Sequence, residues 1–264
     1  MDLGLNGKVA VVSGSTAGIG FAIAETLAAE GAHVVLNGRT QERVTAAIER
    51  IAKKNPKANV RGVAGDLGTA RGAEDFVRQI PVADILVNNL GIFQIQDFLN
   101  IPDSEWMRFF EVNVLSGVRL TRHYLPGMLE KKWGRVIFIS SESGAQTPKE
   151  MVHYGMTKTA QVAVARGVAE SFPASGVTVN SILVGPTESE GVGDFLKSMA
   201  QKQGVTPADV EREFFKTARP SSLLKRFETP EEIAAVVAFV ASTRADAING
   251  AAVPADGGVV RSLF

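Results

Sequence analysis

Ser13-Gly14-Ser15-Thr16-Ala17-Gly18-Ile19-Gly20 joins an apolar run, Val9 to Val12, to an Ala-rich helical pattern that begins near Ile19. A strand that passes into a helix through glycines is built to receive phosphate. Without a Cβ the chain turns tightly and its N–H groups approach a ligand, while the helix N-terminus offers unpaired donors and a partial positive charge. Gly14, Ser15, Thr16, Gly18, Ile19 and Gly20 are therefore candidate contacts to a pyrophosphate. An ordinary strand-to-helix turn uses the same glycines, so the rest of the chain has to decide.

Outward from this turn, apolar runs alternate with helical segments, the pattern of repeated βαβ units around a parallel sheet. Strands are predicted at Lys8–Ser13, His33–Asn37, Asn59–Ala64, Asp84–Asn88, Arg135–Ser140, Val177–Leu183 and Ala251–Pro254. The fold class is α/β, with one doubly wound Rossmann-type sheet of about seven strands and helices on both faces. Thr229-Pro230-Glu231-Glu232 is a capping box with proline at the first helical position, Thr206-Pro207-Ala208-Asp209 is a close relative, and Gly31 closes the first helix. No repeat, low-complexity tract or linker divides the chain, so residues 1–264 are expected to form a single domain. Its one long insertion, 186–227, carries two short helical patterns and has the size of a lid.

Composition narrows the function. With 28 basic against 28 acidic residues there is no overall charge to attract nucleic acid or an anionic membrane. The N-terminus lacks a signal-peptide pattern, and the longest apolar run, Ile233 to Ala241, is half of a membrane span. A cytoplasmic location is expected. The absence of cysteine excludes disulfides and thiolate chemistry, and His33, His123 and His153 have no metal-ligand spacing.

In a doubly wound sheet the ligand lies at the carboxyl ends of the strands. After the second strand, where an acid would bind the ribose 2′-OH of NAD, the chain reads Asn37-Gly38-Arg39-Thr40. Arg39 without an acid favours the 2′-phosphate of NADP over NAD, because a guanidinium pairs bidentately with phosphate; a solvated arginine is the alternative. After the third strand Asp66-Leu67 offers an acceptor for an adenine amino group, or a cap for the next helix. After the fourth, Asn88-Asn89-Leu90-Gly91 places Asn89 and Gly91 beside the glycine turn. Tyr154 and Lys158, at i and i+4, share a helix face, where an ammonium favours phenolate and lowers the tyrosine pKa toward working pH. Ser141 ends the fifth strand 13 residues upstream of Tyr154, in reach of the same substrate oxygen.

These residues resemble the short-chain dehydrogenase/reductase family, including its 3-oxoacyl thioester reductases, from Leu5 to Val259. The family's T-G-x-x-x-G-x-G falls at Ser13–Gly20, its N-N-A-G at Asn88–Gly91, its catalytic Asn at Asn113, its Ser at Ser141 and its Y-x-x-x-K at Tyr154 and Lys158. Ile248-Asn249-Gly250 and Asp256-Gly257-Gly258 resemble its last strand and the turn after it. The resemblance implies a strand order of 3-2-1-4-5-6-7. It also implies Tyr154 as acid/base, Lys158 on the nicotinamide ribose, Ser141 orienting the carbonyl, and Asn113 holding a water in a relay to Lys158. Ser13 replaces Thr and keeps the hydroxyl, whereas Leu90 replaces Ala and is expected to shift the chain locally. The family's P-G is altered to Val184-Gly185-Pro186-Thr187, which leaves Gly185 and Thr187 as the nicotinamide-side contacts.

The implied reaction is hydride transfer between NAD(P) and a carbonyl or secondary alcohol, with no metal. A catalytically silent dinucleotide-binding sensor or scaffold is the other class, but it has no need of Asn113, Ser141, Tyr154 and Lys158 together. Among enzymes, a 3-oxoacyl thioester reductase and a sugar or polyol dehydrogenase remain open. Phe195, Met199, Phe214 and Phe215 either face the nicotinamide as an apolar lid or form the buried sides of two helices. Gln146, Glu142 and His153 are candidates for substrate contact, and Glu142, Glu188 and Glu190 would repel anions if they point inward. A homo-oligomer, dimer or tetramer, follows from the resemblance. The small residues Ala160, Ala163, Ala165, Gly167 and Ala169 permit close helix packing, and the tail from Val260 to Phe264 either adds a contact or frays.

Overall fold

The computed structural model describes residues 1–188 and 190–263, apart from the side chains at positions 190, 191, 194 and 195. Seven strands form one parallel sheet: β1 (Val9–Val12), β2 (His33–Gly38), β3 (Val60–Ala64), β4 (Ile85–Asn88), β5 (Gly134–Ser141), β6 (Val177–Val184) and β7 (Ala252–Ala255). Their order is β3-β2-β1-β4-β5-β6-β7, and each lies within one residue of its predicted bounds. Central strands are buried on both faces, which is why they read as unbroken apolar runs rather than alternating ones.

Strand alternation divides the core in two. Ala10, Val12, Val34, Leu36, Ile85 and Val87 face one layer, which is covered by α1 (Gly18–Ala29), α2 (Gln41–Lys54) and α9 (Pro230–Ala241). Val11, Val35, Leu86, Val136 and Phe138 face the other, covered by α3 (Ala70–Gln79), α5 (Ser116–Glu130) and α6 (Val152–Ser171). Gly31 sits past the end of α1 at φ 84°, a left-handed conformation that terminates the helix.

β1 pairs with both β2 and β4, so the crossovers diverge on either side of β1 and leave a crevice at the strands' carboxyl ends. Ahead of α5 stand α4 (Asp103–Phe110) and a π-turn, Glu111–Leu115. The insertion after β6 holds α7 (Glu190–Gln203) and α8 (Pro207–Thr217) around a small core of Leu196, Ala200 and Val210. Both capping boxes are formed, by Thr206 with Asp209 and by Thr229 with Glu232. The insertion's two stems are tied together: Glu228 N–H donates to the Pro186 carbonyl at 2.9 Å and Glu188 N–H to the Glu228 carbonyl at 2.8 Å. Among the described residues no helix is long and apolar enough to cross a membrane.

Candidate active site

The glycine turn is held from behind by polar groups. Ser13 Oγ accepts N–H bonds from Asn89 and Leu90, each at 3.0 Å, while Asn89 Nδ2 donates to the carbonyls of Ser13 and Gly14 at 3.0 and 2.9 Å. A Cβ on Gly20 would lie 2.4 Å from Asn89 Nδ2 and 2.5 Å from the Gly14 carbonyl, so the approach of helix to turn requires glycine there. Ser15 is a correction to the expected contact set. It is fully buried, with its N–H on the Asn37 carbonyl and its hydroxyl between the Val12 carbonyl and the Asn37 N–H, so it shapes the turn and offers no side-chain contact. Asn37, unnoticed for this role in the sequence, takes the Gly14 N–H and donates to the Val63 and Gly65 carbonyls, binding three strand ends together. Leu90 is accommodated by packing on the second core layer.

The turn fits a pyrophosphate. Thr side chains cap α2, α3, α8 and α9, but α1 begins at Ala17 with no side-chain cap, so its first-turn donors remain open to an anion. After β2, Arg39 is exposed and has no partner among the described residues. Asp66 is exposed and accepts the Gly68 N–H at 3.0 Å, while Thr69 caps α3, which removes the helix-cap alternative. Leu67 points into the core, leaving only its main chain for a ligand. Gly91 lies where an added Cβ would stand 3.5 Å from both Lys158 Nζ and Asn113 Oδ1, so its main chain is close to both side chains.

Ser141, Tyr154 and Lys158 meet at one cavity of about 520 Å³, with Gly185, Thr187 and Ile19 in its wall. Burial pushes Tyr154 up to about 12, against the pull of its hydrogen bond with Ser141. This reverses the expected direction: the tyrosine is a phenol at neutral pH. Burial also lowers Lys158 to about 8. Its Nζ donates to the Ile139 carbonyl at 2.8 Å and to Gln161 Oε1 at 3.2 Å, and stands 5.5 Å from the Tyr154 ring centre.

Asn113 lies in the π-turn, where the helical hydrogen-bond ladder is interrupted. Its side chain accepts from Ile92 N–H and donates to the Ile92 carbonyl and Thr157 Oγ1, and its own carbonyl receives Gln161 Nε2 at 2.6 Å. Asn113 and Lys158 are thus linked through the Gln161 amide. Gln161 was missed in the sequence, although its place three residues after Lys158 puts it on the same helix face.

The remaining expectations divide. Phe214 and Phe227 line the cavity with Val192, while Phe215 is buried behind them and Met199 packs within the insertion's own core. The side chains of Phe195 and Glu190, and the terminal Phe264, lie outside the described residues. His153 does not reach the cavity; it is fully buried, its ring 4.1 Å from that of Phe109 and 6.0 Å from that of Trp106, and desolvation lowers its pKa. Gln146 lines a separate groove with Arg261 and Leu263, and Glu188 is exposed. Glu142 does point inward, but Arg219 Nε donates to its Oε1 at 2.8 Å. Arg219 went unnoticed because nothing local in the insertion marks it.

A doubly wound sheet, an open glycine turn and a Ser–Tyr–Lys cluster at the adjoining cavity define a nicotinamide-dependent oxidoreductase acting on CH–OH or C=O. The short chain dehydrogenase family profile matches residues 8–200, and the chain belongs to that family. It is 49% identical over 264 residues, all of both chains, to the uncharacterized oxidoreductase YvaG of Bacillus subtilis. It is 32% identical over 263 residues to the 3-oxoacyl-acyl-carrier-protein reductase FabG of Aquifex aeolicus, covering 98% of this chain and 100% of that one. The crystal structure of L-sorbose reductase from Gluconobacter frateurii, complexed with NADPH and L-sorbose, superposes with a TM-score of 0.94 at 32% identity over the full length of both chains.

Proposed function

We propose that the chain reduces a small ketone to a secondary alcohol with NADPH as the preferred cofactor. The observation that carries this reading is geometric: Ser141, Tyr154 and Lys158 line one cavity that shares Ile19 with the open glycine turn, and burial keeps Tyr154 a phenol. A protonated tyrosine is the form that a carbonyl reduction consumes, since the new alcohol needs a proton on oxygen.

The glycine turn and the uncapped start of α1 would hold the pyrophosphate, and Arg39, with no carboxylate beside it in Gly38-Arg39-Thr40, would take the 2′-phosphate. The nicotinamide, when bound, supplies the hydride. Ser141 Oγ and Tyr154 Oη would bind the substrate carbonyl oxygen together, Tyr154 would give it a proton, and the Lys158 ammonium would offset the negative charge left on the phenol oxygen. Gln161 would hold Lys158 in place from the Asn113 carbonyl. The insertion, with Phe214 and Phe227 on the cavity, would close as a lid. The exposed Ala163 and Gly167 on the outer face of α6 support a dimer or tetramer built through that helix.

The test is turnover of a ketone panel with NADPH against NADH. Arg39→Ala is expected to raise the KM for NADPH at least tenfold with little effect on NADH, and Tyr154→Phe to lower kcat by about 10²- to 10⁴-fold. Equal use of both cofactors by the native chain would remove the role given to Arg39.

A further inference from the structure

Two charged side chains in the cavity have no part in the proton transfer just described. Glu142 directly follows Ser141, and Arg219 follows α8 at the far end of the insertion; they are 4% and 8% exposed. Arg219 Nη1 donates to the Ala218 carbonyl at 2.9 Å and lies 3.5 Å from Glu150 Oε1, while Nη2 makes no hydrogen bond among the described residues. Around them the wall is apolar: Ile92, Phe93, Met151, Phe214 and Phe227. A buried ion pair is poor evidence of stabilisation, because a hydrophobic replacement of similar volume is often neutral or better. Its place in a substrate cavity, with an open donor, calls for a ligand.

We propose that Glu142 and Arg219 form a hydroxyl-reading subsite that selects neutral hydroxyketones, keto sugars among them, over plain ketones, oxo acids and long acyl chains. A substrate hydroxyl donates and accepts from a single oxygen; it would donate to the Glu142 carboxylate and accept from Arg219 Nη2. Because Glu142 adjoins Ser141 in the chain, the hydroxyl it reads lies within a few bonds of the carbonyl that Ser141 binds. A carboxylate would meet Arg219 but also Glu142 and Glu150, a cluster with one excess negative charge, so anionic substrates are repelled. An alkyl chain would leave Arg219 Nη2 without a partner and with its water removed. Arg219 comes from the insertion and Glu142 from just after β5, so the subsite is assembled from both.

The inference rests on the ketone-reductase reading and adds the substrate class to it. The deciding experiment compares kcat/KM with NADPH for hydroxyacetone and butanone, which differ by OH in place of CH3, with erythrulose as a longer polyol and acetoacetate as the anion. The native chain is expected to favour hydroxyacetone over butanone by at least about tenfold and to use acetoacetate least. Glu142→Gln is expected to reduce that preference by about tenfold, mainly through KM for the hydroxyketone, and Arg219→Lys to reduce it partially. NADPH fluorescence titration and thermal melting report whether each variant folds; if neither does, the native chain's ratio alone decides. A preference for butanone or acetoacetate, or a hydroxyketone preference that survives in folded Glu142→Gln, overturns the subsite while leaving the reductase reading in place. Binding of NADPH with no carbonyl reduced would overturn both.

Discussion

At Tyr154 and Lys158 the surroundings, more than the spacing, set the protonation states. Burial raises the phenol to about 12 and lowers the ammonium to about 8, so at neutral pH the pair is acid and cation together. Lys158 loses its charge as pH rises through about 8, and with it the support for a phenolate forming on Tyr154. Reduction measured as kcat/KM is therefore expected to be level below pH 8 and to fall above it with the loss of one proton. The break should move in Gln161→Ala, which removes an acceptor from the ammonium and the side-chain donor from the Asn113 carbonyl. A level profile through pH 10 in the native chain would show that Lys158 titrates elsewhere. The i, i+4 spacing was legible in the sequence; the direction of the tyrosine shift was not, because desolvation depends on what the fold packs around the hydroxyl.

At the scale of elements, the insertion is fastened where its stems meet. Glu228 is 4% exposed, and burial, then the nearby Asp256 carboxylate, raises it to about 7, so it is neutral below that pH. Its folded value exceeds its ordinary 4.5, hence the folded chain holds a proton that the unfolded chain releases between 4.5 and 7. The stability linked to that proton is fully present below about 4.5 and lost as pH rises through 7. Glu228→Gln, which keeps the shape without the charge, is expected to raise the Tm relative to the native chain at pH 8 and to lose that advantage near pH 5. Melting curves across this range check it, and a difference independent of pH would place the titration elsewhere. The capping boxes at Thr206 and Thr229 had marked both helices flanking this stem, since caps are local hydrogen-bond patterns. The Glu228–Asp256 pairing spans the last part of the chain and left no local trace.

For the whole molecule, the outer face of α6 is the place to look for association. Ala165 and Ala169 pack on the sheet, whereas Ala163 and Gly167 face outward, with nothing within 4 Å of a Cβ added at Gly167. Light scattering behind size exclusion is expected to give a dimer or tetramer at micromolar concentration, and Gly167→Glu to shift it toward monomer while NADPH still binds. A native chain that runs as a monomer would remove the proposal.

What the sequence determined by itself was the strand and helix pattern, the glycine turn and the i, i+4 spacing of Tyr154 and Lys158, while Asn113 entered through the family resemblance. Each is written in a short stretch of chain: apolar runs for buried strands, glycines for the turn, i, i+4 spacing for the helix face. Only the tertiary structure decided that Ser15 turns inward, that His153 is sealed against Phe109, that Gln161 joins Asn113 to Lys158, and that Arg219 reaches Glu142. Those last two partners are 77 residues apart. A contact across that separation is set by how a helical insertion folds back over a strand end, and burial, which governs the charges there, exists only once the layers have packed.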